Sequence, residues 1–409
     1  LIAPIRFQDS DTVVSEGMGY AMLIAACYAD KPLFDGLALY YWHRMRKAAN
    51  GCAGTYNDNL ASWSMSSTPP YSVVNGCDSA TDGDEDMGMG LLMACKQWPG
   101  VTSPVNYCGM AQTLITDMID YTSPNPDGNT EPWYHPVNRW FHIKRADTDS
   151  VPGINTGVEA DYISPGQYRC FGSYFNGVPM GHRNGSDWTT VANNSVSAIV
   201  WAEAHAGNHG FSSDQLQYIY PSGGPSAGAP IDAQYGGTTG SLYEGGRGPW
   251  RWAMDGAYNG NPAMIAAVQH TNVSLRTGYG SFGTAKALPP YVISMQWSTN
   301  GLYDGGTHPG VGYGIQAGVA ILDAGALAGD MRWINEVYRA GTLTGLERPG
   351  GAGNCYDTNT YYPTCMRYFN IDLRVMGMLM LTGNWAWPCN DVWSKPNLKV
   401  SMSPDKTFG

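Results

Sequence analysis

The sequence predicts an all-α protein in which long loops separate the helices. Three observations indicate this fold class. Apolar residues recur at helical spacing in blocks along the chain, as in residues 15–29 and 84–97. Alternation of apolar and polar residues, which would indicate strands, is short and scattered. The chain also contains 52 glycines and 26 prolines, residues that favour loops over helix interiors.

The predicted helices follow one another along most of the chain. The block at 15–29 follows a Ser-x-Gly start, and the block at 84–97 begins with acidic residues, which suit the positive end of the helix dipole. Further helices are predicted at residues 108–121, 189–206, 249–258, 261–270, 312–328, 329–341 and 369–382. Residues 222–248 are rich in Gly and Ser, and the aromatic and charged residues at their end indicate an active-site loop rather than a linker.

The chain is predicted to form one domain over residues 1–385. No charged linker, low-complexity tract or sequence repeat divides it. Residues 386–409 contain Pro388, Pro396 and Pro404 and are expected to form an extended tail or a frayed end. No apolar run is long enough for a membrane span, which needs about 18 residues.

The composition restricts the class of partner. The net charge is −11, and nucleic-acid binding and anionic membranes are therefore disfavoured, since both need basic patches. Charged residues are only 14% of the chain, whereas Tyr (26) and Trp (14) are plentiful. Aromatic rings stack on sugar faces, so a polysaccharide partner is expected, although compositional drift in a secreted protein would give the same result. The sequence does not indicate an oligomeric state.

The nine cysteines and three glycosylation sequons indicate a secreted protein. No Cys-x-x-Cys pair suggests a zinc site, and several cysteines lie in loop-like sequence, where disulfides in an oxidising compartment are expected. Cys355 and Cys365 form a candidate pair, and Cys27 and Cys95, in apolar helical patterns, are read as buried hydrophobic residues. The sequons begin at Asn184, Asn193 and Asn272. They support secretion only in a host that glycosylates, and chance occurrence in a long, Asn-rich chain is the alternative. No signal peptide is visible, and Leu1 is expected to be a mature or a truncated start.

Glu16, in VVSEGMGY, is the first acidic residue with a candidate role. It lies at the mouth of a helix, with glycines beside it and apolar residues behind it, which suits a carboxylic acid that donates a proton. The alternative is an ordinary first-turn acid that interacts with the helix dipole.

A second acidic cluster, in SATDGDEDMG, consists of Asp82, Asp84, Glu85 and Asp86. An EF-hand calcium loop is improbable there, because Met87 and the helical pattern cut the loop short and its twelfth position lacks Glu. Helix capping or a carboxylate that grips substrate remain as alternatives.

The third cluster, in SLYEGGRGPWRW, combines charge with aromatic surface. Arg247 follows Glu244 by three residues and is able to pair with it, while Tyr243 and Trp250 offer stacking surface. A structural ion pair at a helix start, near Pro249, is the alternative. No phosphate loop, Gly-x-Ser-x-Gly elbow or His-Glu-x-x-His motif is present, and His205 and His209 are a weak metal signal, so no cofactor or metal is expected.

These clusters occur in an order that resembles glycoside hydrolase family 8. SEGMGYAMLIAA resembles the proton-donor segment of that family, and ATDGDEDMGMGLLMACKQW resembles its ATDADEDIA motif and the helix that follows. ADYISPGQY, LYEGGRGPWR and YFNIDLRVMGMLMLTGN resemble three later segments. The matches span residues 15–384 in the family's order.

The resemblance implies an (α/α)6 barrel with long active-site loops that hydrolyses β-1,4-linked glucan, chitosan or xylan with inversion. It implies that Glu16 is the general acid, that Asp82 holds the sugar in subsite −1, and that Tyr162 positions the attacking water. Glu244 would be the general base, kept ionised by Arg247. The remaining substrate-binding candidates are Trp63, Tyr243, Trp250 and Asp84.

One departure from the family concerns the base, because Glu244 stands where the family commonly has Asp. Inverting enzymes need roughly 6.5–9.5 Å between the two carboxyl groups, and Glu is longer by one methylene. Gly245 and Gly246 offer a backbone adjustment that would restore the spacing. The alternative is a catalytically inactive barrel that binds glycans or serves as an extracellular structural subunit.

Overall fold

The structure is a computed structural model. It describes residues 12–52, 58–74, 76–77, 79–120, 157–159, 162–205, 215–218, 230–232, 240–241, 247–277, 297–298 and 368–389. The α-helices in these parts of the chain are α1 Ser15–Cys27, α2 Lys31–Tyr40, α3 Thr81–Gln97, α4 Tyr107–Ile119, α5 Pro165–Tyr174, α6 Asp187–His205, α7 Arg247–Asn259, α8 Pro262–Thr277 and α9 Tyr368–Leu381. Helices predominate, as predicted, and no described helix is both long and apolar enough to cross a bilayer.

The helices pack in consecutive pairs, and the odd-numbered member of a pair is the more deeply buried. α1 packs against α2, α3 against α4, α5 against α6 and α7 against α8. α3 is buried from Thr81 to Cys95, whereas α4 buries only one face. α1 also packs against α3 on one side and α9 on the other, and α5 packs against α7. The odd-numbered helices therefore form an inner layer, and the even-numbered helices cover it.

Small residues allow α1 and α3 to approach closely. A Cβ atom added at Gly83 would lie 2.4 Å from the Ser15 Oγ atom, and one added at Gly19 would lie 2.7 Å from the Asp86 Cβ atom. Side chains at these positions would push the two helices apart. The close packing places the first turns of α1 and α3 side by side.

The described strands are short, and one pair of them positions the start of α1. β1 Thr12–Val14 pairs antiparallel with β2 Ser64–Ser66, and the backbone N–H of Ser15 donates to the carbonyl oxygen of Trp63 over 2.9 Å. The other strands are β3 Gly157–Glu159, β4 Pro179–Met180, β5 Arg183–Asn184, β6 Gln215–Tyr218, β7 Pro230–Asp232, β8 Gly240–Ser241 and β9 Trp297–Ser298. They form antiparallel sheets in the orders β3-β6-β7, β4-β5 and β8-β9.

Most predicted helices agree with the structure to within a few residues, but two described helices were missed. α2 begins at Lys31 after the N-cap residue Asp30, whose side chain accepts from the Leu33 N–H, and it has a proline in its first turn. α5 begins with Pro165, and its glycines weaken the apolar pattern. α3 begins at Thr81 rather than 84, so the acidic cluster lies inside the helix. The helices predicted at 312–328 and 329–341 lie outside the described residues.

In the described parts of the chain, three disulfides join Cys52 to Cys77, Cys95 to Cys108 and Cys170 to Cys389. The reading of Cys95 as an unpaired hydrophobic residue was therefore wrong, because it lies at the end of α3 beside the start of α4. Cys27 is a free, partly buried thiol. Cys355 and Cys365 lie outside the described residues.

The segment after α9 packs on the barrel as far as Cys389. The Trp387 ring stacks on Tyr258 with centroids 4.7 Å apart, and Trp385 packs edge-on against Trp250. The domain boundary at residue 385 stays a prediction, although Trp387 and Cys389 extend the packed body beyond it.

Candidate active site

The first turns of three inner helices meet around one guanidinium group. Arg247, at the start of α7, donates from Nη1 to Oε1 of Glu16 on α1 and, over 3.3 Å, to Oδ2 of Asp82 on α3. Helix N-termini carry partial positive charge, so their convergence favours carboxylates there. Residues distant in sequence are thus combined into one charged cluster.

Glu16 is held in place but remains accessible. Its Oε1 atom accepts from the Tyr20 hydroxyl over 2.9 Å as well as from Arg247. Tyr20 is one helical turn further along α1 and is fully buried. The side chain of Glu16 is 14% exposed, compared with 2% for Asp82. Of these two carboxyls, Glu16 is the one that a substrate outside the barrel reaches more readily.

Asp82 lies deeper and holds its proton more tightly than an ordinary aspartic acid. Its Oδ1 atom accepts from the Gly83 N–H over 2.8 Å. Burial and the neighbouring charge of Glu16 raise the pKa of the Asp82 carboxyl to about 7, although Arg247 acts in the opposite direction. Near neutral pH the Asp82 carboxyl can therefore either donate or accept a hydrogen bond.

The pKa of Asp82 leads to a prediction about stability. A pKa raised from 3.8 to about 7 on folding means that the folded state binds a proton more tightly than the unfolded chain. The contribution of Asp82 to the free energy of unfolding is complete below pH 3.8 and is lost as the pH rises through about 7. Urea unfolding measured at several pH values should show stability falling from about pH 4 to 7, with a smaller fall in Asp82→Asn. An unchanged slope in that variant would contradict the assignment.

Arg247 also packs against Tyr162, which precedes α5. Its guanidinium carbon lies 4.8 Å from the centre of the Tyr162 ring, at a distance typical of a cation–π contact. Both side chains are largely buried. The sequence paired Arg247 with Glu244, but Glu244 lies outside the described residues. Among the described residues, Arg247 donates hydrogen bonds to the carboxyls of Glu16 and Asp82.

A second polar layer lies one helical turn deeper. Arg251 donates to Asp86 from Nη1 over 3.0 Å and from Nη2 over 2.7 Å. Gln167 donates to Asp86 over 2.7 Å, and the Tyr168 hydroxyl donates to Glu85 over 2.6 Å. Burial raises the pKa of the Glu85 carboxyl well above its ordinary value. Asp86 and Glu85 thus connect α3 to α5 and α7 beneath the cluster.

Asp84 and Trp250 were predicted to bind substrate, but both are fully buried and offer a sugar no surface. The Asp84 Oδ1 atom accepts from the Ala61 N–H over 2.9 Å, so Asp84 holds the loop that carries Trp63. Trp250 packs edge-on against Tyr20. Trp63 is half-buried beside the start of α1. Tyr243 lies outside the described residues.

Sequence reasoning missed one carboxyl near the cluster. Asp372, on α9, is half-buried, and burial together with the charge of Glu16 raises its pKa to about 7. The only signal in the sequence is an acid within the otherwise apolar pattern of the last helix. The structure also describes no group of three His, Cys, Asp or Glu side chains that would hold a metal ion.

Comparison with known proteins relates the chain to one enzyme family. Residues 7–121, which include α1 to α4 with Glu16 and Asp82, match the profile "Glycosyl hydrolases family 8". The chain is 24% identical over 405 residues to "Endoglucanase A" of Acetivibrio thermocellus, covering 97% of this chain and 68% of that protein. It is 24% identical over 391 residues to "Beta-glucanase" of Niallia circulans, covering 93% of this chain and 79% of that protein.

Solved structures show the same fold. A GH8 xylobiose complex from Teredinibacter turnerae matches with a TM-score of 0.68 at 20% identity, covering 95% of this chain and 86% of that one. The apo structure of a beta-1,3-1,4-glucanase from Paenibacillus sp. X4 matches with a TM-score of 0.65 at 18% identity, covering 93% of this chain and 85% of that one. These matches confirm the predicted (α/α)6 barrel.

Proposed function

We propose that this chain, which is related to glycoside hydrolase family 8 by sequence and by fold, is an endo-acting hydrolase of β-1,4-linked glycans that inverts the anomeric carbon. The observation that carries the proposal is the meeting of Glu16 and Asp82 at Arg247, at the converging starts of inner helices. Glycoside hydrolases cleave with two carboxyls, one of which protonates the leaving oxygen. We assign that part to Glu16, with Asp82 beside it to bind the sugar and Glu244 as the second catalytic carboxyl.

Glu16 is the proposed general acid. It is the more exposed carboxyl of the pair, so it meets the glycosidic oxygen that must be protonated as the bond breaks. Tyr20 and Arg247 both donate to Oε1. We therefore assign the transferred proton to Oε2. The fixed orientation of the side chain aims that proton at one position in the cleft, which lowers the entropic cost of the transfer.

Asp82 is proposed to bind the sugar in subsite −1. Its carboxyl holds a proton near neutral pH and is able to exchange hydrogen bonds with the hydroxyls of a ring that distorts toward the transition state. Arg247 spans Glu16 and Asp82 and fixes their relative position. Tyr162, packed on the same guanidinium, is proposed to help position the attacking water.

Glu244 is proposed as the general base that removes a proton from that water. This assignment rests on the resemblance of LYEGGRGPWR to the family's segment. Arg247, the first residue of α7, follows Glu244 by three residues in the sequence. Trp63, beside the first turn of α1, is proposed to stack on a neighbouring sugar.

We also propose that the protein acts outside the cell. Three disulfides, including one that joins α5 to Cys389, are expected to persist in an oxidising compartment. The partner is a polysaccharide, and the net charge of −11 disfavours nucleic acids and anionic membrane surfaces.

The proposal is tested by incubating the purified protein with soluble β-glucan, xylan and chitosan. We expect new reducing ends on at least one polymer, an early fall in its viscosity, and the α-anomer as the first product in proton NMR spectra. An initial β-anomer would exclude inversion. Binding to a polymer without any release of reducing ends would instead support the inactive glycan-binding barrel.

A further inference from the structure

Asp372 lies in the second turn of α9, the helix that packs against α1. It lies one turn before Met376 and two turns before Met380, both buried, so it is on the face of α9 that packs toward the protein interior. The charge of Glu16 acts on the Asp372 carboxyl, so this face of α9 brings a further acid near the cluster.

The carboxyl of Asp372 differs from those of Glu16 and Asp82 in its partners among the described residues. In the described part of the chain it forms no hydrogen bond and no ion pair, whereas Glu16 and Asp82 share Arg247. The titratable side chains near this end of α1, which packs against α9, are Glu16 and Tyr20. Neither is a cation, so α1 offers Asp372 no charge compensation. A half-buried carboxyl in this position is open to a ligand.

The order of the helices indicates where that ligand lies. α1 packs between α3 and α9, so Glu16 stands between Asp82 on one side and Asp372 on the other. The general acid protonates the oxygen that joins the sugars in subsites −1 and +1. With Asp82 on the side of subsite −1, the α9 side of Glu16 is that of the leaving group.

We propose that Asp372 binds the leaving-group sugar in subsite +1 by accepting a hydrogen bond from one of its hydroxyl groups. This proposal rests on the proposed function of the cleft and adds to it a residue that determines productive binding. Burying a polar group without a partner is costly, and the described residues offer this carboxyl none, so a sugar hydroxyl would supply it.

The test compares two substrates that differ only in subsite +1. One is a β-1,4-linked oligosaccharide that the wild-type enzyme cleaves, and the other is the nitrophenyl glycoside whose aromatic group replaces the +1 sugar. In Asp372→Ala we expect kcat/KM for the oligosaccharide to fall by about 10- to 100-fold, as typical for a hydrogen bond to a charged group. For the nitrophenyl glycoside, kcat/KM should stay within about twofold of wild type, because this substrate has no +1 sugar whose hydrogen bond the substitution could remove.

Asp372→Asn, which keeps one oxygen, should recover part of the activity on the oligosaccharide. Asp35→Ala is the matched control, since Asp35 is a partly exposed acid on α2 that pairs with Lys31 over 2.8 Å. It should leave both substrates unaffected. An equal loss on both substrates in Asp372→Ala, or no loss on either, would overturn the proposal. Failure of the wild-type enzyme to cleave either substrate would instead reject the proposed function.

Discussion

Glu16→Gln is expected to lower kcat by about 10²- to 10⁴-fold, the range typical for the loss of a general acid, while leaving the fold and glycan binding in place. Glutamine has the same size as glutamic acid and still accepts hydrogen bonds from Tyr20 and Arg247 through its amide oxygen. It has no transferable proton for the glycosidic oxygen. The loss should therefore appear in kcat rather than in the affinity for the polysaccharide.

The measurement is the rate of release of reducing ends, combined with the affinity of the variant for an uncleaved oligosaccharide measured by calorimetry. Glu203→Gln is a matched control, because Glu203 is also a largely buried glutamate with a hydrogen-bonding partner, His270, at 2.5 Å. It lies on α6, away from the cluster, and should keep the wild-type rate. Near wild-type turnover in Glu16→Gln would remove this residue from the mechanism.

The local pattern predicted most helices because their apolar spacing reflects burial. The same spacing led to Glu16, since an acid at the start of an apolar helix is conspicuous. The spacing did not distinguish the roles of the acids at 82–86, because their sequence contexts are alike. The structure gives them four environments: Asp82 meets Arg247, Asp84 a backbone N–H, Glu85 a tyrosine, and Asp86 an arginine. Those partners are at least 23 residues away in sequence, as for Asp84 and Ala61.

Pairings between distant segments account for the other differences. Arg247 was expected to serve an acid three residues before it, yet its described carboxylate partners are 165 and 231 residues away in sequence. Cys95 and Cys108 lie 13 residues apart, and only the turn between α3 and α4 brings them together. The sequence around Asp372 shows an acid in an apolar helix but does not indicate its role. Only the packing of α9 against α1 places its carboxyl near Glu16.

Arg251→Met is expected to lower the free energy of unfolding by about 3–5 kcal/mol, because it leaves buried carboxyls without their cation. Arg251 is fully buried and donates two hydrogen bonds to Asp86, with Glu85 at 3.7 Å. Urea unfolding followed by circular dichroism should show a large fall in the midpoint. Arg169→Met is the control, and it should lower the free energy of unfolding by less. Its partner Asp255 keeps hydrogen bonds from Asn259 and Asn261, and Arg169 is itself partly exposed.

The double variant Arg251→Met with Asp86→Leu distinguishes the two reasons for which a buried ion pair is costly to break. If the loss comes from the uncompensated charge of Asp86, removing that carboxyl should restore much of the midpoint, since apolar side chains of similar volume often replace such a pair. If the loss comes from lost packing against the Trp250 ring, which lies 5.1 Å from the guanidinium carbon, the second substitution should lower the midpoint further. We expect the second substitution to restore the midpoint, because the deeper polar layer contains more carboxyls than arginines to compensate their charge. A stable double variant with lower activity would show that this layer supports the position of Arg247 one turn above it.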